Sequence, residues 1–236
     1  MIITRISLQN FRSYNKYSTE ISPTTTIIIG PNGSGKTSII EAIHVALRGS
    51  SFRGSIQDIL NSDQEWWRAD IEADHQGPIT IKFNPTTNKP KQFIVKDRVY
   101  LRLPNNNKYP VVLFEPEDMR LIHGSPERRR KFIDNFAAQI DPSHGTVLRK
   151  YERALKQRNA LLKRQASPDD LFVWNVTLSE YGAEIIKKRK QYISEINKLL
   201  QDIYSSIAKN QDTITINYSH PYHKGTQQQL LSDLHK

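Results

Sequence analysis

Apolar and polar positions change rhythm along the chain. Ile6, Leu8 and the run to Phe11 predict a first strand, and Lys16 to Ile21 a second. Thr24 to Ile29 predicts a third, with Pro23 between strands, where its missing donor does no harm. Ser38-Ile39-Ile40-Glu41-Ala42-Ile43 predicts a helix that ends near Gly49. Trp67 to Ala73, Ile79 to Phe83, Phe93 to Val95 and Val99 to Leu103 predict further strands. Gly77-Pro78 and the Asn84 to Pro90 stretch separate them with turn chemistry. Val111 to Phe114 predicts a short buried strand before Glu115-Pro116-Glu117-Asp118.

After Gly124-Ser125-Pro126 the period becomes helical. Arg128 to Gln139 and His144 to Gln165 predict two helices. A third starts after Ser167-Pro168-Asp169-Asp170 and runs to about Ala208. In it Leu178, Tyr181, Ile185, Tyr192, Ile196, Leu199 and Ile203 recur three, four or seven apart, as in an antiparallel helical arm. Thr213 to Tyr218 alternates again, which predicts a strand returning to the first lobe, and Gly225 to Lys236 is polar. The expected organisation is one lobe over residues 1–123, a helical lobe over 124–210 and the start of a return over 211–236.

Charge sharpens this division. The 236 residues carry a net charge of +10, enough chain for one core or one domain with a large insertion. Residues 1–127 hold 15 Lys/Arg against 13 Asp/Glu, a net of +2; residues 128–236 hold 19 against 11, a net of +8. A basic second half suits a polyanion, with nucleic acid preferred over anionic lipid. The absence of cysteine excludes disulfides, thiolate metal sites and cysteine nucleophiles, and fits a reducing cytosol. Met1-Ile2-Ile3-Thr4-Arg5-Ile6 lacks the pattern of a signal peptide, and no apolar run approaches the ~20 residues of a membrane span. The expected location is cytoplasmic, with no membrane partner.

Chemistry concentrates at Gly30-Pro31-Asn32-Gly33-Ser34-Gly35-Lys36-Thr37. Glycine, four residues, then Gly-Lys-Thr between a predicted strand and a predicted helix is the pattern that cradles nucleotide phosphates. Glycines at 30, 33 and 35 permit backbone conformations closed to other residues, so amides converge on phosphate oxygens at the positive end of the helix. Lys36 supplies a cation for the β- and γ-phosphates, and the Thr37 hydroxyl can ligate Mg²⁺. Hydrolysis further needs a carboxylate at the end of a second strand. Glu115, after Val111-Val112-Leu113-Phe114, is the one candidate; the alternative is a core strand ending in a polar turn.

Other segments narrow the family. Asn10-Phe11-Arg12-Ser13-Tyr14 before the loop resembles the ABC-type ATPase heads of the SMC and RecF group. Ser51-Phe52-Arg53 resembles RecF in particular, as do Phe114-Glu115-Pro116-Glu117-Asp118 and the stretch from Gly124 to Asp134 containing Arg128-Arg129-Arg130-Lys131. The run from Tyr151 to Lys163 completes the pattern, so the resemblance covers residues 1 to about 165. It implies an α/β fold: a P-loop ABC-ATPase-type lobe with an antiparallel β-meander, an inserted helical lobe, and the C-terminal part of the ATPase lobe missing. It also implies a bacterial DNA repair and replication protein of the SOS response that binds ATP and Mg²⁺, dimerises around ATP, engages gapped or junction DNA, and helps recombinase loading with mediator partner proteins. A residue aligned with Arg12 is expected near the phosphates. Glu115 or Glu117 is then preferred as a coupling residue over a metal-holding acid. The family's Ser-Gly-Gln-type signature and Asp-Glu Walker B strand do not occur in this sequence, so little or no turnover is expected from this chain alone. The rival readings are another SMC-like head, and a non-catalytic DNA-binding module with a relic P-loop.

Candidate DNA contacts are Arg128, Arg129, Arg130, Lys131, Arg149, Lys150, Lys187 and Lys188. They would track phosphates without reading sequence, and binding would weaken steeply with salt. The competing reading is a solvated helical face partly paired with Glu152, Glu180 and Glu184. Tyr151, Trp174, Tyr181 and Tyr192 fall at spacings of helix–helix core rather than of stacking platforms.

Overall fold

Alternation places Ile6 and Leu8 on one face of strand β1 (Ile3–Phe11), and that face becomes core. The computed structural model describes residues 1–74, 77–208, 212–219 and 226–234. They pack as two units, Met1–Leu113 and Phe114–Lys236.

In the first unit β1 pairs with β2 (Tyr14–Glu20) on one side and β3 (Trp67–Ala73) on the other. Strands β4 (Ile79–Phe83), β5 (Lys91–Val95) and β6 (Arg98–Tyr100) follow as a meander. The order is β2-β1-β3-β4-β5-β6, and every neighbouring pair is antiparallel. Helix α1 (Lys36–Arg48) packs on this sheet against β1, β3 and β4. Its buried Ile39, Ala42, Val45 and Ala46 recur at helical spacing and meet Ile6, Leu8, Ile71 and Ile81. Phe11, Trp67 and Phe83 add an aromatic row, with Phe11 edge-on to Trp67 at 5.2 Å. Gly49 closes α1 with φ +77 while its N–H bonds the Val45 carbonyl at 2.8 Å.

The second unit is helical. A 3₁₀ turn (Pro116–Met119) leads into α2 (Arg120–His123), α3 (Pro126–Ile140), α4 (Pro142–Lys163), α5 (Pro168–Ala208) and α6 (Gln227–Leu234). Ser125 and Asp141 accept hydrogen bonds from the first turns of α3 and α4, each followed by a proline that needs no partner. Ser167 and Asp170 cap α5 reciprocally. Helix α5 has 41 residues against 22 in α4, so its partner spans only part of its length. Leu178 and Ile185 are accordingly buried, whereas Leu199 and Ile203 of the same stripe are exposed.

Three expected strands are absent among the described residues. Residues 24–29 and 111–114 are apolar but belong to no ladder; Ile27 and Ile29 are 80% and 89% exposed and Val112 is 90% exposed. Apolar pattern favours a strand, but only a neighbouring strand satisfies its backbone. Residues 213–218 are a different case, because a helix substitutes for the missing neighbour. Asn197 and Gln201, one turn apart on α5, reach the backbone of this segment. Asn197 accepts from the Ile216 amide at 2.9 Å and donates to the Ile216 carbonyl at 2.8 Å. Gln201 accepts from the Ile214 amide at 3.0 Å and donates to the Asp212 carbonyl at 3.0 Å. The polar stretch expected from residue 225 onward carries α6, whose Leu234 carbonyl accepts from Arg158 and Asn175.

Candidate phosphate-binding site

The loop from Gly30 to Thr37 runs directly into α1, and Gly35 is the helix N-cap. Gly33 and Gly35 take φ +83 and +92, which side chains disfavour. Gly30 does not share that conformation; there the constraint is space, since a Cβ would lie 2.8 Å from Ser34 Oγ. At Gly35 both constraints act, because a Cβ would come within 2.6 Å of the Tyr14 ring. Tyr14 also donates to the Ser34 carbonyl at 3.2 Å, so strand β2 braces the loop. Lys36 Nζ donates to the Gly30 and Pro31 carbonyls, both at 2.7 Å, and so stays over the loop's own concavity. Pro31, Asn32, Gly33, Ser34 and Thr37 are exposed, so the loop and the start of α1 are open to a ligand.

Arg12 lies in the two-residue turn between β1 and β2, where Phe11 pairs with Tyr14. Its φ is +53, a position where tight hairpins favour glycine. The side chain compensates by gripping Glu41 of α1: Nε and Nη2 donate to the two carboxylate oxygens at 3.0 and 2.7 Å. Nη1 donates to the Asp58 carbonyl, and the Arg12 amide to the Ile59 carbonyl at 2.8 Å. The bond to Glu41 holds the Arg12 guanidinium above its ordinary pKa, against the opposing effect of burial. Ser51 Oγ donates to the same carboxylate at 2.6 Å and accepts from the Arg53 and Gly54 amides. Three separate segments, Asn10 to Tyr14, the loop helix and Ser51 to Arg53, therefore converge on one buried carboxylate. Sequence reasoning passed over Glu41, although a signal existed: it shares a helix face with Ser38 and Val45, which are both buried.

His44, one turn further along α1, bonds the Ser50 carbonyl through Nδ1 at 2.8 Å and meets Phe52 edge-on. Burial lowers its pKa, with a smaller opposing effect from the Ser50 bond.

The residues fit a triphosphate with a divalent cation. Gly33 and Gly35 give the loop its left-handed turns, Lys36 is folded over it, and Thr37 lies exposed at the helix start. Among the described residues no cluster of three or more His, Asp or Glu forms a protein-only metal site. Bound Mg²⁺, held by Thr37, would supply charge neutralisation at the terminal phosphate oxygens.

The second unit holds the remaining candidates. Glu115 caps the 3₁₀ turn in a reciprocal box, its amide donating to Asp118 at 2.8 Å. Glu117 is exposed, and its carbonyl accepts from Arg128 at 3.4 Å. Arg129 donates to the Ile122 and Gly124 carbonyls, so it and Arg128 serve the α2–α3 junction. Arg130, Lys131 and Lys187 are exposed. Arg149 bonds Thr146 on its own helix, and Lys150 lies 5.4 Å from the Tyr181 ring centre. Lys188 pairs with Asp141 at 2.8 Å, which holds that carboxyl well below its usual range. Tyr151, Trp174, Tyr181 and Tyr192 are half-buried. In a separate cluster Arg189 donates twice to the buried Asp134, at 2.8 and 2.6 Å, and His144 approaches the same carboxylate.

The AAA ATPase domain family matches residues 1–232. The DNA replication and repair protein RecF of Agathobacter rectalis is 34% identical over 92% of this chain and 62% of its own length. RecF of Protochlamydia amoebophila is 35% identical over 92% of this chain and 61% of its own. The chain thus spans about 60% of the length of the curated relatives it matches. Among solved structures, the recombination mediator RecF with ATP superposes with a TM-score of 0.79 at 26% identity, over 100% of this chain and 66% of that one. A second RecF structure, with ATPrS, gives 0.81 at 27% over 99% and 65%.

Proposed function

The chain belongs to the AAA ATPase domain family, and from that premise we propose that it binds ATP with Mg²⁺ as a RecF-like DNA replication and repair protein. The loop carries the nucleotide reading: Gly33 and Gly35 in left-handed conformations with Lys36 turned over the cradle. Loop amides and Lys36 would hold the β- and γ-phosphates, Thr37 the Mg²⁺, and Arg12 would add positive charge beside them. DNA with single-stranded gaps or junctions would be engaged through Arg130, Lys131, Lys187 and their basic neighbours. In this reading the protein acts in the cytoplasm as an ATP-dependent homodimer, and supports recombinase loading with mediator partners. No helix among the described residues is long and apolar enough to cross a membrane.

Equilibrium binding of a fluorescent ATP analogue, for the wild-type chain and Lys36→Ala, tests the nucleotide site. Binding sharply weakened in the variant supports it; binding unchanged in the variant refutes it. For DNA, titration at rising salt is decisive. A steep, sequence-independent fall in affinity is expected, and a flat response between low and moderate salt would refute phosphate-led binding.

A further inference from the structure

Glu41 is the one fully buried carboxylate of the first unit among the described residues, at 0% exposure, and the phosphate chemistry above makes no use of it. A carboxylate taken out of water persists only where its oxygens are fully bonded. Glu41 meets that condition with three donors, Arg12 Nε, Arg12 Nη2 and Ser51 Oγ. It also stands four residues after Thr37, hence on the same face of α1 and one turn deeper. The Arg12 guanidinium is therefore held along the helix face that presents the Thr37 hydroxyl. Tyr14, from the far side of the same turn, lies against Gly35, so the hairpin flanks the loop. Arg12 has five N–H donors, of which Glu41 and the Asp58 carbonyl take three. One hydrogen on each terminal nitrogen remains to meet an anion.

We propose that Glu41 is the positioning residue of the phosphate site: with Ser51 it fixes the Arg12 guanidinium beside Thr37, and so sets how strongly the site favours a nucleoside triphosphate over the diphosphate. The inference rests on the nucleotide reading of Gly30 to Thr37. Lys36 and the loop amides serve both nucleotides. A cation on the Thr37 face serves mainly the one with the extra terminal charge. Pinning a long side chain by two of its donors removes the freedom that would dilute this preference. It also gives the Ser51-Phe52-Arg53 segment a role, since Ser51 shares the carboxylate and its Oγ is anchored by the two amides that follow.

The test is ATP and ADP affinity, with Mg²⁺, for the wild type, Glu41→Gln, Ser51→Ala, Arg12→Ala and the Arg12→Ala/Glu41→Gln double variant. Glu41→Gln is expected to weaken ATP about 5–10-fold and ADP less than about twofold, with Ser51→Ala showing a smaller loss in the same direction. The double variant should bind ATP no more weakly than Arg12→Ala alone, because Glu41 acts through Arg12. Equal losses for both nucleotides, or losses that add in the double variant, overturn the proposal and leave Glu41 a purely structural residue. If Glu41→Gln does not fold, Arg12→Lys gives the same readout, since an ammonium keeps the charge but cannot bridge the carboxylate as a fork. A wild-type chain that binds neither nucleotide defeats the nucleotide reading itself; binding with an unchanged ATP/ADP ratio in every variant defeats only the role of Glu41.

Discussion

Among the described residues each unit holds an arginine paired with a buried carboxylate, and the pairs are set in different surroundings. Arg12 and Glu41 are 29 residues apart and join a strained hairpin turn to the helix of the phosphate loop. Asp134 and Arg189 are 55 apart and join two long helices, with His144 of a third helix on the same carboxylate. One pair is built on the helix that the glycine-rich loop opens; the other lines a cavity of about 440 Å³ bordered by Leu178, Ile185 and Tyr218. Similar ionic chemistry thus ties a hairpin turn to the loop helix in the first unit and joins helices to one another in the second.

Breaking the helical pair gives the largest expected effect. Asp134→Ala leaves the Arg189 guanidinium buried without its partner and should cost about 3–5 kcal/mol. Urea unfolding reads that loss. Nucleotide affinity of the folded fraction should not change, and a parallel loss of affinity would erase the distinction drawn between the units. Removing the loop cation should do the reverse. Lys36→Ala is expected to weaken ATP by roughly 10–100-fold, the worth of a charged hydrogen bond, while the unfolding midpoint stays put.

A backbone test comes next. Gly35→Ala meets both an unfavourable φ and the Tyr14 ring, and should destabilise the first unit by about 1–3 kcal/mol. Adding Tyr14→Ala should recover the part caused by collision but not the part caused by φ. No recovery would show that the ring does not brace the loop.

Acid separates the two units by mechanism. His44 has a lowered folded pKa, from burial first, so the unfolded state takes up its proton more readily. Its contribution to stability is present above about pH 6.5, the ordinary histidine value, and is lost as pH falls below it. Burial alone would raise Asp134, but the bonds from Arg189 and His144 outweigh it and hold the group below its ordinary value. Asp141 is lowered too, by Lys188 first. Those contributions persist down to about pH 4, the ordinary aspartate value, and disappear as pH falls toward the depressed folded values. Near-UV and far-UV melts between pH 7 and 3 should therefore show the first unit weakening before the second. The smallest effect is expected at the exposed Lys198–Glu195 pair, where Lys198→Ala should shift stability by no more than about 0.5 kcal/mol.

Much of this architecture was legible in the sequence. Strands β3 and β4 fall where alternation puts them, and α1 runs from the loop to Gly49 as the glycine punctuation indicates. The helices and the turns at Ser125 and Ser167 were also readable, because those side chains act on amides within a few residues; the cap at Asp141 was not anticipated. The candidate phosphate loop was legible for the same reason: its glycines, lysine and threonine fall within eight consecutive positions. The partners of Glu41 were not, because an amphipathic helix shows which face is buried without showing which distant donors will meet a carboxylate there.

The sequence by itself determined the type of most elements and the ligand class of the loop, since periodicity, capping and glycine conformations are local properties. Tertiary structure alone decided pairing. Residues 24–29 and 213–218 carry comparable strand patterns, yet the first stays outside any ladder among the described residues while the second is held by Asn197 and Gln201 of α5. Whether Arg12 faces solvent or Glu41 is decided the same way, by a chain that returns a carboxylate 29 positions later to the hairpin turn. Backbone and ionic partners lie far apart in sequence, and only the folded chain brings their complementary groups within hydrogen-bonding distance.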